Sequence, residues 1–306
     1  MSKATYCDEG PSVIEALRHQ EELPHYQRRR YLGSPEIAVD AATRHEMLSW
    51  VFKVTSFLKL SEEIAVITAS ILDCYLQTLE GEEVLYSIKE YRLAAMASLY
   101  LSAKLFEHTY FISSDVMSAL SHGIYSKATV EQAELNILKA LNWSVNPPNS
   151  IAFCHEFLNL LPCSVSQEMK DAAYDLCKAQ IKQCVLDYDC IDVEASTVAF
   201  YATHNALRSL GMDTIILGHV ASIFSYATHK DYYHDESEQN MKNRKTLQDC
   251  LNIALFPNIK ESLLRDVVIN NHPRNDSRKK KQQTRGRSNS HHESPSSVFQ
   301  ETSSIR

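Results

Sequence analysis

From Leu93 to Ala103 the chain places apolar or small residues at almost every position: Leu93, Ala94, Ala95, Met96, Ala97, Leu99, Tyr100, Leu101 and Ala103. The surrounding segment, Lys89 to Glu107, reads as one helix. A helix that is apolar all round must be enclosed by other elements, and its alanines and serines let neighbouring helices come close. The rest of the chain supplies the material for that enclosure. Only 7 glycines and 9 prolines occur in 306 residues, so backbone breakers are few. No alternation of strands with helices is visible. The expectation is an all-α protein.

Helical periodicity recurs on both sides of this segment. Residues 11–23 form a short amphipathic helix with Val13, Ile14 and Leu17 on one face. An arm containing Pro24, Arg28-Arg29-Arg30, Gly33 and Pro35 follows. Further helices are expected over 43–58, with Met47, Leu48, Val51, Val54 and Leu58 apolar, and over 61–78, opened by a Ser61 cap followed by two acids. Residues 113–120 and 129–141 complete the set. Asn146-Pro147-Pro148-Asn149 breaks the pattern. A second group then runs over 150–161, 166–187, 192–210, 213–229 and 238–255. Its third member is again rich in small residues, from Ala195 to Ala206. The expected organisation is an N-terminal helix and arm (1–38), two five-helix bundles (39–145 and 146–258), and a basic, Ser-rich tail (259–306). The tail holds too little apolar surface to offset ordering entropy, so disorder is expected there.

Bulk properties narrow the function. The polar start lacks the apolar core of a secretory signal, and no stretch approaches a membrane span. A soluble intracellular protein is expected, in which the 8 cysteines are reduced. Net charge is −7; residues 271–306 carry +5, which leaves −12 for the remainder. An acidic body disfavours nucleic acid as a partner. Cys177, Cys184 and Cys190 have no Cys-x-x-Cys or paired-His companion and read as buried thiols, and His204 as a core or rim histidine. No phosphate loop, nucleophile elbow, metal set or cofactor motif is present, so no catalytic residue is expected.

Several segments resemble the cyclin family in order and spacing. Thr43-Arg44-His45-Glu46-Met47-Leu48-Ser49-Trp50-Val51 resembles the opening of the cyclin box. Ile71-Leu72-Asp73-Cys74-Tyr75-Leu76 resembles its second helix. Leu93 to Lys104 resembles the Ala-rich third helix, and Ala133-Glu134-Leu135-Asn136-Ile137-Leu138 to Trp143 the fifth. The five signature positions fall on Arg44, Asp73, Leu93, Lys104 and Glu134. Residues 13–23 resemble the helix before the box, with the look of the G1 (D-type) branch.

The resemblance implies tandem five-helix cyclin-box bundles and a non-catalytic subunit that binds and activates a cyclin-dependent protein kinase in cell-cycle control. Arg44 and Asp73 would form a structural ion pair, and Leu93 and Trp50 would pack the box. Lys104 and Glu134 would grip the kinase beside its mobile αC helix, with Leu105, Leu138, Val13, Ile14 and Leu17 as apolar contacts. Met47 and Trp50 would belong to a substrate-docking patch, here altered by Glu46 and Lys53. Kinase inhibitors and substrates would be further partners, with no membrane, nucleic acid or cofactor. A competing reading, a nucleic-acid-binding factor of the general transcription factor B type on the same tandem fold, needs a basic face that the composition does not supply.

Shorter motifs are less specific. Arg278-Lys279-Lys280-Lys281 fits an import signal and hence a nuclear and cytoplasmic distribution. Ser34-Pro35 and Ser294-Pro295 fit proline-directed phosphorylation, and Arg29-Arg30-Tyr31-Leu32 a degradation motif.

Overall fold

The computed structural model describes residues 10–107 and 112–228. The expected helix over 238–255, the basic tail with Arg278 to Lys281, and Ser294-Pro295 lie outside the described residues. Those residues hold eleven α-helices, three short 3-10 turns and no strand.

Helix α1 (Gly10–Glu21) precedes the first bundle, which is built from α2 (Ala41–Phe57), α3 (Glu62–Tyr75), α4 (Leu79–Glu82), α5 (Ile88–Phe106), α6 (Ser114–Leu120) and α7 (Lys127–Ala140). The second comprises α8 (Ser150–Asn159), α9 (Gln167–Leu186), α10 (Ala195–Ser209) and α11 (Thr214–Thr228). Local chemistry fixes where several of these begin. The Asp40 carboxylate accepts from Thr43 N at 2.7 Å, Ser126 Oγ from Thr129 N at 3.2 Å, and Asn149 Oδ1 from Ala152 N at 2.9 Å. Each side chain satisfies a first-turn donor that has no partner within the helix.

The central helix is enclosed as its composition requires. Every residue of α5 from Tyr91 to Ala103 is buried, and α2, α3, α6 and α7 pack around it. In the second bundle α10 takes the same place, against α8, α9 and α11. Small residues explain both. Ala95, Ala97, Ser98, Ala199, Ala202 and Ala206 are completely buried, so backbones approach closely without voids.

Helix α4 was not visible as periodicity. Its Gly81 sits so close to α3 that an added Cβ would lie 1.9 Å from Tyr75 O, which leaves glycine as the residue that fits.

Helix α1 docks on α8 and α11 of the second bundle. Glu21, buried at its end, accepts from Ser196 N at 2.9 Å and Ser196 Oγ at 2.7 Å, and pairs with buried Arg18 at 2.6 Å. A carboxylate at the first turn of α10 complements the helix dipole and its unpaired N–H groups. The strap after α1 then crosses the seam between bundles. Tyr188 Oη, beyond α9, accepts from the backbone N–H of both Tyr31 and Leu32 at 2.6 Å. No helix of the described residues is long and apolar enough to cross a membrane.

Candidate functional site: a paired lysine and glutamate on the first bundle

Lys104 occupies the last turn of α5, where the helix leaves the core. Glu134 projects from the middle of α7, which packs on α5. Their side chains meet: Lys104 Nζ donates to Glu134 Oε1 at 2.9 Å. The two ends of the pair differ. The glutamate side chain is 8% exposed and the lysine side chain 45%. A buried carboxylate needs a partner, and the lysine provides one from the surface side. The hydrogen bond to Glu134 raises the Lys104 pKa above its ordinary value, so the ammonium is charged at neutral pH. The Tyr100 ring lies 5.4 Å from Nζ. Next along α5, Leu105 is 42% exposed, and Leu138, one turn beyond Glu134, is half-buried. The four side chains make a partly apolar surface with a fixed charge pair inside it. A lysine has three donors, and the bond to Glu134 uses one.

The second constellation is structural. Arg44 Nε donates to Asp73 Oδ1 at 3.1 Å and Nη2 to Oδ2 at 2.8 Å, with side-chain exposures of 2% and 0%. Burial pulls the Arg44 pKa down, and the Asp73 charge more than reverses this, so the guanidinium stays above its usual range. Tyr31 Oη adds a 2.8 Å bond to Asp73 Oδ1, and Arg44 Nη1 reaches Val185 O on α9 at 3.0 Å. Sequence reasoning found Arg44 and Asp73 and missed Tyr31, Tyr188, Glu21 and Ser196. Glu21, Ser196 and Tyr188 sit in no recognisable motif, and the short Arg29-to-Leu32 motif that holds Tyr31 says nothing of its bond to Asp73.

Comparison with known proteins agrees with this architecture. Residues 12–146 match the family model described as the cyclin N-terminal domain. The chain is 28% identical to cyclin-D3-1 of Oryza sativa subsp. japonica over 157 residues, 49% of this chain and 45% of that one. It is 23% identical to the G2/mitotic-specific cyclin-B2 of Gallus gallus over 235 residues, 77% of this chain and 53% of that one. Residues 12–146 are thus a cyclin N-terminal domain.

A viral cyclin from herpesvirus saimiri superposes with a TM-score of 0.63 over 79% of this chain and 98% of its own, at 15% identity, which establishes shared fold. The chain spans about half the length of the curated relatives it matches.

Other expected contact residues lie elsewhere. Ile14 is 1% exposed because α1 turns it onto the second bundle; it is a core residue, which corrects its assignment as a kinase contact. Val13 is 43% exposed and Leu17 half-buried on the same helix. Met47 and Trp50 are 1% and 0% exposed, so they pack the first bundle and form no open docking patch. Glu46 and Lys53 are among the residues that α2 exposes, with His45, Ser56 and Phe57. Leu93 is buried in the first bundle. Cys177, Cys184 and Cys190 are buried too, and His204 is half-buried with its ring 5.9 Å from Phe200. The Arg29-to-Leu32 motif is engaged in the strap, and Ser34 is exposed.

Proposed function

We propose that this chain is a cyclin, the regulatory, non-catalytic subunit of a cyclin-dependent protein kinase, and that the Lys104–Glu134 surface receives the kinase. The reading rests on that pair: a charged donor and a buried acceptor, held 2.9 Å apart between exposed Leu105 and half-buried Leu138. A kinase is active when its αC helix is swung inward, which completes a Lys–Glu ion pair in its active site. A rigid surface that binds only the inward position shifts the kinase toward it by its differential affinity. Both charged groups are anchored on helices packed around a buried core. The surface therefore does not have to order itself on binding, and less of the contact energy is lost. Val13 and Leu17 on α1 would extend the contact. Control of cell-cycle progression, nuclear entry through Arg278 to Lys281, and recruitment of inhibitors or substrates complete the proposal.

The test is co-purification and kinase assay with Lys104→Ala and Glu134→Ala. Both are expected to retain helical content and lose kinase binding and activation. If both variants activate the co-purified kinase as the unaltered chain does, the site is wrongly assigned. If the unaltered chain itself recovers no kinase from cells of its source organism, the function is.

A further inference from the structure

The three consecutive arginines of the strap have different fates. Arg28 Nη2 donates to Val193 O at 3.1 Å, and Arg30 pairs with Asp189 at 2.8 Å and Asp192 at 3.5 Å. Both reach the second bundle. Arg29 lies between them. Its backbone N–H is held by Gln77 Oε1 on the first bundle at 2.7 Å, so its main chain is fixed on either side and at its own amide. Among the described residues its guanidinium enters no hydrogen bond or ion pair.

Arg29 lines a cleft of about 510 Å³ bounded by the strap, the end of α3 and the end of α7. The volume suits a few residues of a ligand. Buried Leu76, Leu85 and Leu141 form its floor, exposed Pro24 and half-buried Ala140 an apolar rim, and Gln77, Thr78 and Asn142 supply polar groups. Glu82 is the one carboxylate among the lining residues, and it makes no ion pair with Arg29. The cleft shares no residue with the Lys104–Glu134 surface.

We propose that this cleft docks a peptide segment of a partner protein, with an Asp or Glu carboxylate on Arg29 and a neighbouring apolar side chain against the accessible apolar rim at Pro24 and Ala140. A guanidinium with all its donors free is suited to bidentate capture of a carboxylate. Phosphate is the poorer fit. It carries close to two charges and is held by clusters of arginines, whereas Arg30 is committed to Asp189 and Asp192 and Glu82 opposes a dianion.

The experiment is selection of peptides from a random phage-displayed library on the immobilised full chain, in parallel with Arg29→Ala. The expected result is enrichment of an acidic residue beside an apolar one, on the unaltered chain only. A synthetic peptide from that pool should lose roughly tenfold or more in affinity against Arg29→Ala. The variant should melt at the same temperature and still bind the kinase, since Arg29 joins neither the fold's ion pairs nor the Lys104–Glu134 surface. Peptides indifferent to Arg29, or no enrichment, overturn the proposal. Tighter binding of a phosphoserine version overturns the choice of carboxylate. Loss of kinase binding in Arg29→Ala would instead assign the cleft to the kinase contact.

Discussion

Arg44 on α2 and Val185 on α9 are joined by a 3.0 Å hydrogen bond from the guanidinium Nη1 to the carbonyl oxygen. The same guanidinium holds Asp73 through its other nitrogens. One buried side chain therefore sets the angle between α2 and α3 and ties the first bundle to the second. Truncating one partner strands the other charge in the core, at a cost of about 3–5 kcal/mol. Asp73→Ala is expected to lower the unfolding free energy read from urea titration by that amount. Tyr31→Phe, which removes one neutral donor from the same carboxylate, should cost about 1–3 kcal/mol. Equal effects from the two variants would show that the charge pair is not what holds the junction.

The strap depends on one hydroxyl. Tyr188 Oη accepts from two successive backbone N–H groups, and Arg30 and Arg44 lie over its ring at 5.9 and 5.8 Å. Tyr188→Phe keeps the ring and removes the acceptor. Amide exchange at Tyr31 and Leu32 should accelerate, while exchange in α5 stays slow because its donors are bonded within a buried helix. Hydrogen exchange with mass spectrometry resolves the two segments. Unchanged protection at residues 31–32 would mean the strap is held by its arginines alone.

Two glycines separate a packing requirement from a propensity cost. At Gly81 a Cβ would overlap the Tyr75 carbonyl, backbone that cannot swing aside. Gly81→Ala should destabilise by about 1–3 kcal/mol. At Gly218, within α11, nothing lies within 4 Å of the added Cβ. Gly218→Ala should stabilise by up to about 1 kcal/mol, the helix-propensity difference. Thermal melts of the two variants should move in opposite directions.

Helical periodicity locates every helix of the first bundle longer than four residues, because each turns a repeating apolar face inward. Asp73 could be chosen for its apolar neighbours Leu72 and Cys74, and Lys104 and Glu134 through register with a known pattern. Periodicity cannot reveal α4, whose four residues complete barely one turn. It also cannot say which side of α1 finds a partner. Val13, Ile14 and Leu17 share a face in sequence, and only the presence of α8 and α11 decides that Ile14 is sealed. Trp50 gives the same lesson in reverse. A tryptophan on an amphipathic helix suits a surface socket as well as a core, and packing made it core. The strap was the least legible part. Tyr31 and Tyr188 are 157 residues apart in sequence, and neither has a local pattern that marks a long-range bond.

Stability should also fall on mild acidification through His204. Burial, reinforced by the nearby Arg208 charge, holds its pKa below the ordinary value of 6.5. Above that value the imidazole is neutral in both folded and unfolded chains and has no pH-dependent effect. As pH drops through it, the unfolded chain takes up a proton that the folded chain resists, so folding weakens. The loss levels off once pH passes below the folded value. Carboxylates also titrate toward pH 5, so the informative quantity is a difference between two proteins. Relative to His204→Phe, the unaltered chain should lose melting temperature between pH 7 and pH 5, with the gap opening as pH falls. Parallel curves for the two would place the His204 ring in contact with water in the folded state, against its half-buried position beside Phe200.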